Sequence, residues 1–335
     1  MIRTASFVLL LTVLLCSVVS AQTVINAAGA TFPYPIYSKW FSEYNKLHPD
    51  IQINYQSIGS GGGIRQVTSG TVDFGASDGP MSDEQLAQSK VKVIHIPTVL
   101  GAVVPAYNIP GVNAELKFAP DVLADIFLGK IGNWNDPRIA KENPGIKFPD
   151  QQIVVVHRSD GSGTNYIFTD YLSKISPEWK SSIGKGTSVS WKTGMGGKGN
   201  EGVAGYIRNI QGSIGYVELI YALQNHIPYG TVRNAAGAYV KASLESTTAA
   251  AASAKMPPDF RVSITNAPGK DSWPIASFTW LLIPQPPKDS NKGQLIKSFL
   301  GWMSTDGQKM TEALSYAPLP SNVVQMEQAT FRNLK

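Results

Sequence analysis

The feature that most constrains this fold is a strand, a tight turn and a helix in immediate succession. Residues 153–156 are all β-branched and predict a buried strand. Small residues (GSGT, 161–164) follow, and apolar side chains then recur at helical spacing to Ile175. The first N–H groups of a helix lack internal partners, and small residues let an anion approach them. The segment therefore predicts either an oxyanion cradle, with Arg158 adding charge, or an ordinary turn with a serine cap.

Two earlier turns have the same character. The sequence GATF (29–32) lies between a predicted strand at 24–28 and an amphipathic helix, and GSGGG (59–63) follows a predicted strand at 51–55. Asp78 ends a further predicted strand at 72–78. This alternation of strands and helices favours an α/β sheet with helices on both faces. Ligands of such sheets bind at the carboxyl ends of the strands, so the turns can converge. The converging hydroxyls would be those of Thr31, Ser60, Ser162 and Thr164.

The first 21 residues have the pattern of a secretory signal peptide. Arg3 is their only charge, residues 7–15 are apolar, and small residues precede an expected cleavage before Gln22. The chain's single cysteine, Cys16, lies in this segment. Because Leu15 stands where a lipid-anchor signal needs a small residue, we predict a cleaved, exported protein in preference to a lipid-anchored one. The mature chain would then have no disulfide and no thiolate metal site.

Charge and motifs argue against several classes of function. The net charge of +5 is mild and the basic residues are dispersed, which argues against nucleic-acid binding. Neither Ser60 nor Ser162 lies in G-x-S-x-G, because Ile58 and Asp160 occupy the required glycine positions. The chain has no P-loop motif, and its four histidines show no metal-ligand spacing. We therefore expect no catalytic residue, no metal and no cofactor.

Five motifs together resemble the PstS family, the periplasmic phosphate-binding proteins of bacterial phosphate ABC importers. They are GATFP (29–33), NYQSIGSGGG (54–63), VDFGASD (72–78), DGSGT (160–164) and GGKGN (196–200). Each is weak alone, but in the family's order they are specific and span nearly all of the mature chain. The resemblance implies a two-lobed, type II periplasmic-binding-protein fold, with a two-strand hinge and a ligand cleft between the lobes. The lobes would be residues 22–108 with 276–335, and residues 109–275.

The resemblance also implies a set of phosphate contacts. Carried over position by position, they fall on Ala30, Thr31, Phe32, Ser60, Asp78, Arg158, Ser162, Gly163 and Thr164. Asp160 matches an acid that orients the arginine. Gly61 stands where the family commonly has serine and His157 where it commonly has arginine, and neither departure removes a contact. The implied protein is a periplasmic monomer that binds inorganic phosphate and docks on the membrane permease of an ABC transporter.

Two other functions remain open at this point. The first is binding of another tetrahedral oxyanion, such as sulfate or molybdate. Asp78 argues against it, because an acid in an anion site needs a ligand that carries a proton, and these anions carry none at neutral pH. The second is a phosphatase, which would want a nucleophile with a base, or two metals. The sequence shows neither arrangement.

Overall fold

The computed structural model describes residues 22–112 and 114–335. The predicted signal peptide, including Cys16, lies outside the described residues. The strands are β1 Thr23–Gly29, β2 Ile51–Ser57, β3 Phe74–Ser77, β4 Lys92–Asn108, β5 Lys117–Phe118, β6 Val154–Arg158, β7 Met195–Gly197, β8 Ser213–Glu218, β9 Thr231–Arg233, β10 Tyr239–Val240 and β11 Ala276–Gln285. The α-helices are α1 Tyr34–Leu47, α2 Ser60–Ser69, α3 Asp83–Gln88, α4 Pro120–Phe127, α5 Pro137–Glu142, α6 Gly163–Ile175, α7 Pro177–Ser182, α8 Gly199–Asn209, α9 Leu219–Gln224, α10 Leu244–Ala252, α11 Ser290–Met303 and α12 Ser321–Arg332.

A mixed eight-stranded sheet organises the molecule in two similar halves. Its strand order is β2-β1-β3-β11-β4-β8-β6-β7. In the first half β1 lies between the parallel strands β2 and β3, and in the second half β6 lies between the parallel strands β7 and β8. Each half is completed by an antiparallel strand, β11 beside β3 and the end of β4 beside β8. The arrangement is the expected two-lobed α/β fold. A turn of small and hydroxyl residues follows the central strand of each half, GATF after β1 and GSGT after β6.

The long strand β4 joins the two halves. Apolar patterning predicts two strands here, at 91–97 and 102–109, but they form one strand of 17 residues. The strand continues past Pro97 because its register with β11 shifts at Thr279/Trp280, which is the geometry of a bulge. β4 pairs with β11 as far as Ala102 and with β8 from Val103. The predicted lobe boundary at 108/109 stays a prediction, and the change of partner lies slightly earlier in the chain.

Aromatic packing in the second half holds the backbone of the central strand in place. The ring of Tyr216 in β8 stacks on Phe168 of α6, with centroids 4.3 Å apart, and is fully buried. Its hydroxyl accepts a hydrogen bond from the backbone N–H of Arg158, at 3.0 Å. The core therefore fixes the end of β6, from which the turn begins. None of the helices in the described part of the chain is long and apolar enough to cross a membrane.

Candidate functional site

The turns of the two halves meet in one buried site. The backbone N–H of Gly61 donates to the carbonyl of Gly161 across the cleft, at 2.8 Å. A Cβ added to Gly163 would lie 2.4 Å from Ser60 Oγ and 2.5 Å from Asp78 Oδ2, so only glycine permits this approach. All nine predicted contact residues are buried, namely Ala30, Thr31, Phe32, Ser60, Asp78, Arg158, Ser162, Gly163 and Thr164. The structure thus brings the two turns together, with Ser60 and Asp78 beside Gly163, and the role of these nine residues as phosphate contacts stays a prediction.

Tyrosine hydroxyls orient the backbone of the first turn. Tyr55 donates to the carbonyl of Ala30, at 2.7 Å, and Tyr221 donates to the carbonyl of Thr31. In a trans peptide the N–H points away from the preceding carbonyl. The N–H groups of Thr31 and Phe32 are therefore turned away from these two tyrosines. Fixed in this way, they are suited to donate to an anion, which is the role that the resemblance to the family implies for them.

Asp78 supplies the acid of the site. It follows β3 and is 1% exposed. Its Oδ1 accepts from the Thr279 hydroxyl at 2.8 Å, and its Oδ2 lies 3.4 Å from Ser60 Oγ. Burial raises the pKa of Asp78 to about 7, although these hydrogen bonds and the charge of Arg158 oppose the shift. Near neutral pH the carboxyl can hold or release a proton, so one proton can be shared between Asp78 and a protonated anion.

Arg158 supplies the cation, and Asp160 holds it in place. The two side chains form a bidentate pair, with Nε to Oδ1 at 2.8 Å and Nη2 to Oδ2 at 2.6 Å. The backbone N–H of Gly199 donates to the same carboxylate at 3.1 Å. Burial alone would raise the pKa of Asp160, but the hydrogen bonds and charge of Arg158 hold it below its ordinary value. Nη1 takes no part in the pair with Asp160 and donates to Thr164 Oγ1 at 3.3 Å. Its second hydrogen can therefore be donated to an anion beside Thr164.

Ser162 caps helix α6, as the simpler interpretation of the sequence required. Its Oγ accepts from the N–H of Asn165 at 3.0 Å. A serine oxygen that accepts this bond still carries its own proton, which can be donated outward. Capping and anion binding are therefore compatible at this residue, and the helix N-terminus adds positive potential.

Besides Tyr221, sequence reasoning misses two further buried residues of the site. Asn200 lies within one of the quoted motifs, but the motif gives it no role. Its side-chain amide donates to Thr31 Oγ1 at 2.8 Å and to Thr164 Oγ1 at 3.0 Å. Thr279 is a hydroxyl residue in the almost fully buried strand β11. Only the antiparallel pairing of β11 with β3 brings it to Asp78, and the sequence gives no signal for that pairing.

His157, which follows Val156 where the family commonly has arginine, takes no part in the contacts described above. His157 stacks on Trp191, with ring centroids 4.8 Å apart and planes 9° apart, and its Nδ1 lies 3.1 Å from the carbonyl of Arg158. Within residues 22–112 and 114–335, no group of three or more His, Cys, Asp or Glu side chains is placed to hold a metal ion. The chemistry assembled here is one cation paired with the carboxylate of Asp160, a second acid, Asp78, whose pKa is near neutral, and a set of hydroxyl and backbone donors.

Comparison with known proteins gives consistent results. The model of the PBP superfamily domain matches residues 17–306. The chain is 48% identical over 308 residues to the phosphate-binding protein PstS of Xylella fastidiosa (strain Temecula1), covering 91% of this chain and 84% of the relative. It is also 48% identical over 315 residues to the phosphate-binding protein PstS of Pasteurella multocida (strain Pm70), covering 93% and 90%. The solved phosphate-binding protein of Stenotrophomonas maltophilia has a TM-score of 0.71 at 19% identity, covering 92% and 93%, a likeness of fold.

Proposed function

Because the chain belongs to the PstS family of phosphate-binding proteins, we propose that it binds inorganic phosphate and delivers it to the membrane permease of an ABC transporter. The observation that carries this proposal is the buried convergence of Arg158, Thr164 and Asp78 from the two halves of the sheet. A charge-assisted hydrogen bond contributes about 1.5–3 kcal/mol, so a few of them are sufficient for tight binding.

The site favours phosphate over other tetrahedral oxyanions through Asp78. Phosphate near neutral pH carries one or two protons, and Asp78, with its pKa of about 7, can accept one of them. Sulfate brings no proton and would face the ionised carboxylate as a like charge. The relatives in sequence are named phosphate-binding proteins. We therefore propose that the site binds and releases phosphate for transport, in preference to hydrolysing a phosphate ester.

Closure of two lobes around the ligand is part of the proposal. We assign residues 22–108 with 276–335 to one lobe and 109–275 to the other, with β4 and the start of β11 as the hinge. Three contacts between the lobes support a closed form: Gly61 with Gly161, Gly163 with Asp78, and Thr31 with Asn200. Phosphate that binds both lobes would favour this closed form over an open one.

The test is to identify the ligand and then to follow closure. Native mass spectrometry of the purified protein should show bound phosphate, and calorimetry of the stripped protein should show saturable phosphate binding. Small-angle scattering should give a more compact particle with phosphate than without it. Saturable binding of sulfate but not phosphate would overturn the proposal, and a chromogenic phosphate ester that is turned over would favour a phosphatase.

Export is a separate part of the proposal. We expect cleavage before Gln22 and release of a monomer into the periplasm. N-terminal sequencing of the protein from a periplasmic extract tests the cleavage, and light scattering tests the monomer. A mature chain that begins at Cys16 and partitions into detergent would show a lipid anchor instead.

A further inference from the structure

Asn200 connects the two threonine hydroxyls of the site. It lies in the first turn of α8 and its side chain is completely buried. The amide Nδ2 donates to Thr31 Oγ1 at 2.8 Å and to Thr164 Oγ1 at 3.0 Å, one hydrogen for each. Thr31 follows β1 and Thr164 follows β6, so a single amide spans both halves of the sheet.

The orientation of this amide is determined by its other neighbour. The backbone N–H of Glu218 lies 3.0 Å from Asn200 Oδ1. A backbone N–H can only donate, so the atom that faces it must be the amide oxygen. The amide nitrogen must then face the two threonines. The flipped amide would place N–H against N–H at Glu218, which is unfavourable.

Both threonine oxygens are thereby filled with incoming hydrogen bonds. Thr31 Oγ1 accepts from Asn200 Nδ2 and also from the backbone N–H of Asn200, at 3.3 Å. Thr164 Oγ1 accepts from Asn200 Nδ2 and also from Arg158 Nη1, at 3.3 Å. A hydroxyl has two acceptor positions and one hydrogen. With both acceptor positions occupied, each hydroxyl can only donate its hydrogen.

We propose that Asn200 is a positioning residue that commits the hydroxyls of Thr31 and Thr164 to donate, and so presents both to an acceptor-only anion oxygen. The inference rests on the proposed function and extends it, since Asn200 acts through the threonines. It also links specificity to closure, because the amide can reach both hydroxyls only when the two halves are together. A ligand whose polar groups are donors would find no acceptor at either threonine.

Two substitutions separate this role from a simple bridge between the halves. Asn200→Asp keeps the size of the side chain and can still bridge, but it accepts hydrogen bonds and turns both hydroxyls away from the ligand. Asn200→Ala removes the bridge and leaves the hydroxyls free to rotate. We expect Asn200→Asp to weaken phosphate binding at least about a hundredfold and Asn200→Ala about tenfold, by the loss of charge-assisted hydrogen bonds. Stronger binding by Asn200→Asp than by Asn200→Ala would show that the bridge alone matters, and it would overturn the proposal.

A double-mutant cycle removes the effect of the introduced charge. Thr164→Val is measured by phosphate calorimetry in the wild-type chain and in Asn200→Ala, neither of which adds a carboxylate. If Asn200 acts through the hydroxyl, the loss caused by Thr164→Val should be at least about threefold smaller when Asn200 is absent. An equal loss in both backgrounds overturns the proposal, even if Asn200→Asp fails to fold. Wild-type phosphate binding is the reference: its absence would refute the proposed function, whereas normal binding with an additive cycle refutes only the role of Asn200.

Discussion

The two halves of the site differ in how locally they are built. In the second half, Arg158 is held by Asp160, two residues away in the same turn. In the first half, Asp78 is held by Thr279, 201 residues away, and Thr31 by Asn200, 169 residues away. The cation is therefore positioned by a short segment, whereas the acid and its neighbouring hydroxyl depend on the completed fold. Arg158 is thus oriented by local sequence, whereas Asp78, which would accept the proton of the ligand, is oriented by tertiary structure.

The difference also assigns different tasks to the halves. Arg158 and the start of α6 attract any anion. Asp78 is an acid placed on the opposite side of the same small site, where it repels an anion that has no proton to share. We expect the second half to determine affinity and the first half to determine selectivity.

The largest effect should come from Gly163→Ala, which separates the halves. The added methyl would lie 2.4 Å from Ser60 Oγ and 2.5 Å from Asp78 Cβ, so the turn of α6 could not approach the first half. Overpacking of this kind costs about 1–3 kcal/mol or more, and an open cleft also loses half of the ligand contacts. We expect phosphate binding to weaken about a hundredfold or more in calorimetry, with no compaction in small-angle scattering at the same phosphate concentration.

Gly205→Ala is the matched control for that experiment. Gly205 lies in helix α8, and a Cβ there would meet no atom within 4 Å. Its substitution should leave phosphate affinity unchanged and should stabilise the helix slightly. If Gly163→Ala bound phosphate as tightly as Gly205→Ala does, the halves would not close to the distance seen here, and the comparison between them would lose its basis.

Arg158→Ala should have the next largest effect, because it removes the cation of the second half. We expect at least a tenfold loss of phosphate affinity, which corresponds to about 1.4 kcal/mol. Arg138→Ala is the control, because Arg138 is also paired with carboxylates, Asp136 and Asp125, but is exposed at the surface. Unchanged affinity in Arg158→Ala would show that Arg158 serves only as the partner of Asp160.

The sequence predicts more of the second half of the site than of the first, because the pair of Arg158 with Asp160 and the cap of α6 are local. The strand, the GSGT turn and the helix are consecutive, so spacing alone places Arg158, Ser162 and Thr164 at one strand-to-helix turn, whereas their role as phosphate contacts is implied by the resemblance to the family. The two-lobed fold came from the resemblance to a family, which the fold bears out. What spacing could not give is the pairing of distant elements. The contact of Asp78 with Thr279 depends on β11 lying antiparallel to β3, and the contacts of Asn200 depend on α8 packing against both turns.

Local signals also failed where tertiary context overrides them. Pro97 and the neighbouring loop-like residues predict a break, but a bulge lets β4 continue through both halves. The residue type of Ser321 predicts that it caps the last helix, yet it is the first residue of α12, and the cap position is held by Pro320. Neither error affects the site. Both show that proline and serine do not by themselves fix where a strand or a helix begins or ends. Strand pairing and the path of the preceding residues also determine these positions.

Asp78→Asn should have the smallest effect on phosphate affinity and the largest on selectivity. We expect phosphate binding to change by less than about threefold, because the amide oxygen can still accept the phosphate O–H. Sulfate has no proton, so it needs Asp78 to be protonated. With the pKa of Asp78 raised to about 7 by burial, protonation is favoured below pH 7 and becomes about tenfold rarer for each pH unit above it. Sulfate affinity of the wild type should therefore fall steeply above pH 7.

The variant removes that dependence, because an amide does not titrate and can turn its N–H toward sulfate. Competition titrations at about pH 5.5, 7.5 and 8.5 should show a falling sulfate affinity for the wild type and a flat one for Asp78→Asn. Asp306→Asn, which removes an exposed carboxylate, should behave as the wild type does. If Asp78→Asn excludes sulfate at pH 8.5 as strictly as the wild type, selectivity does not reside in the acid of the first half. The contrast drawn between the two halves would then be wrong, because pocket shape and the donors around Arg158 would have to discriminate between anions of nearly equal size.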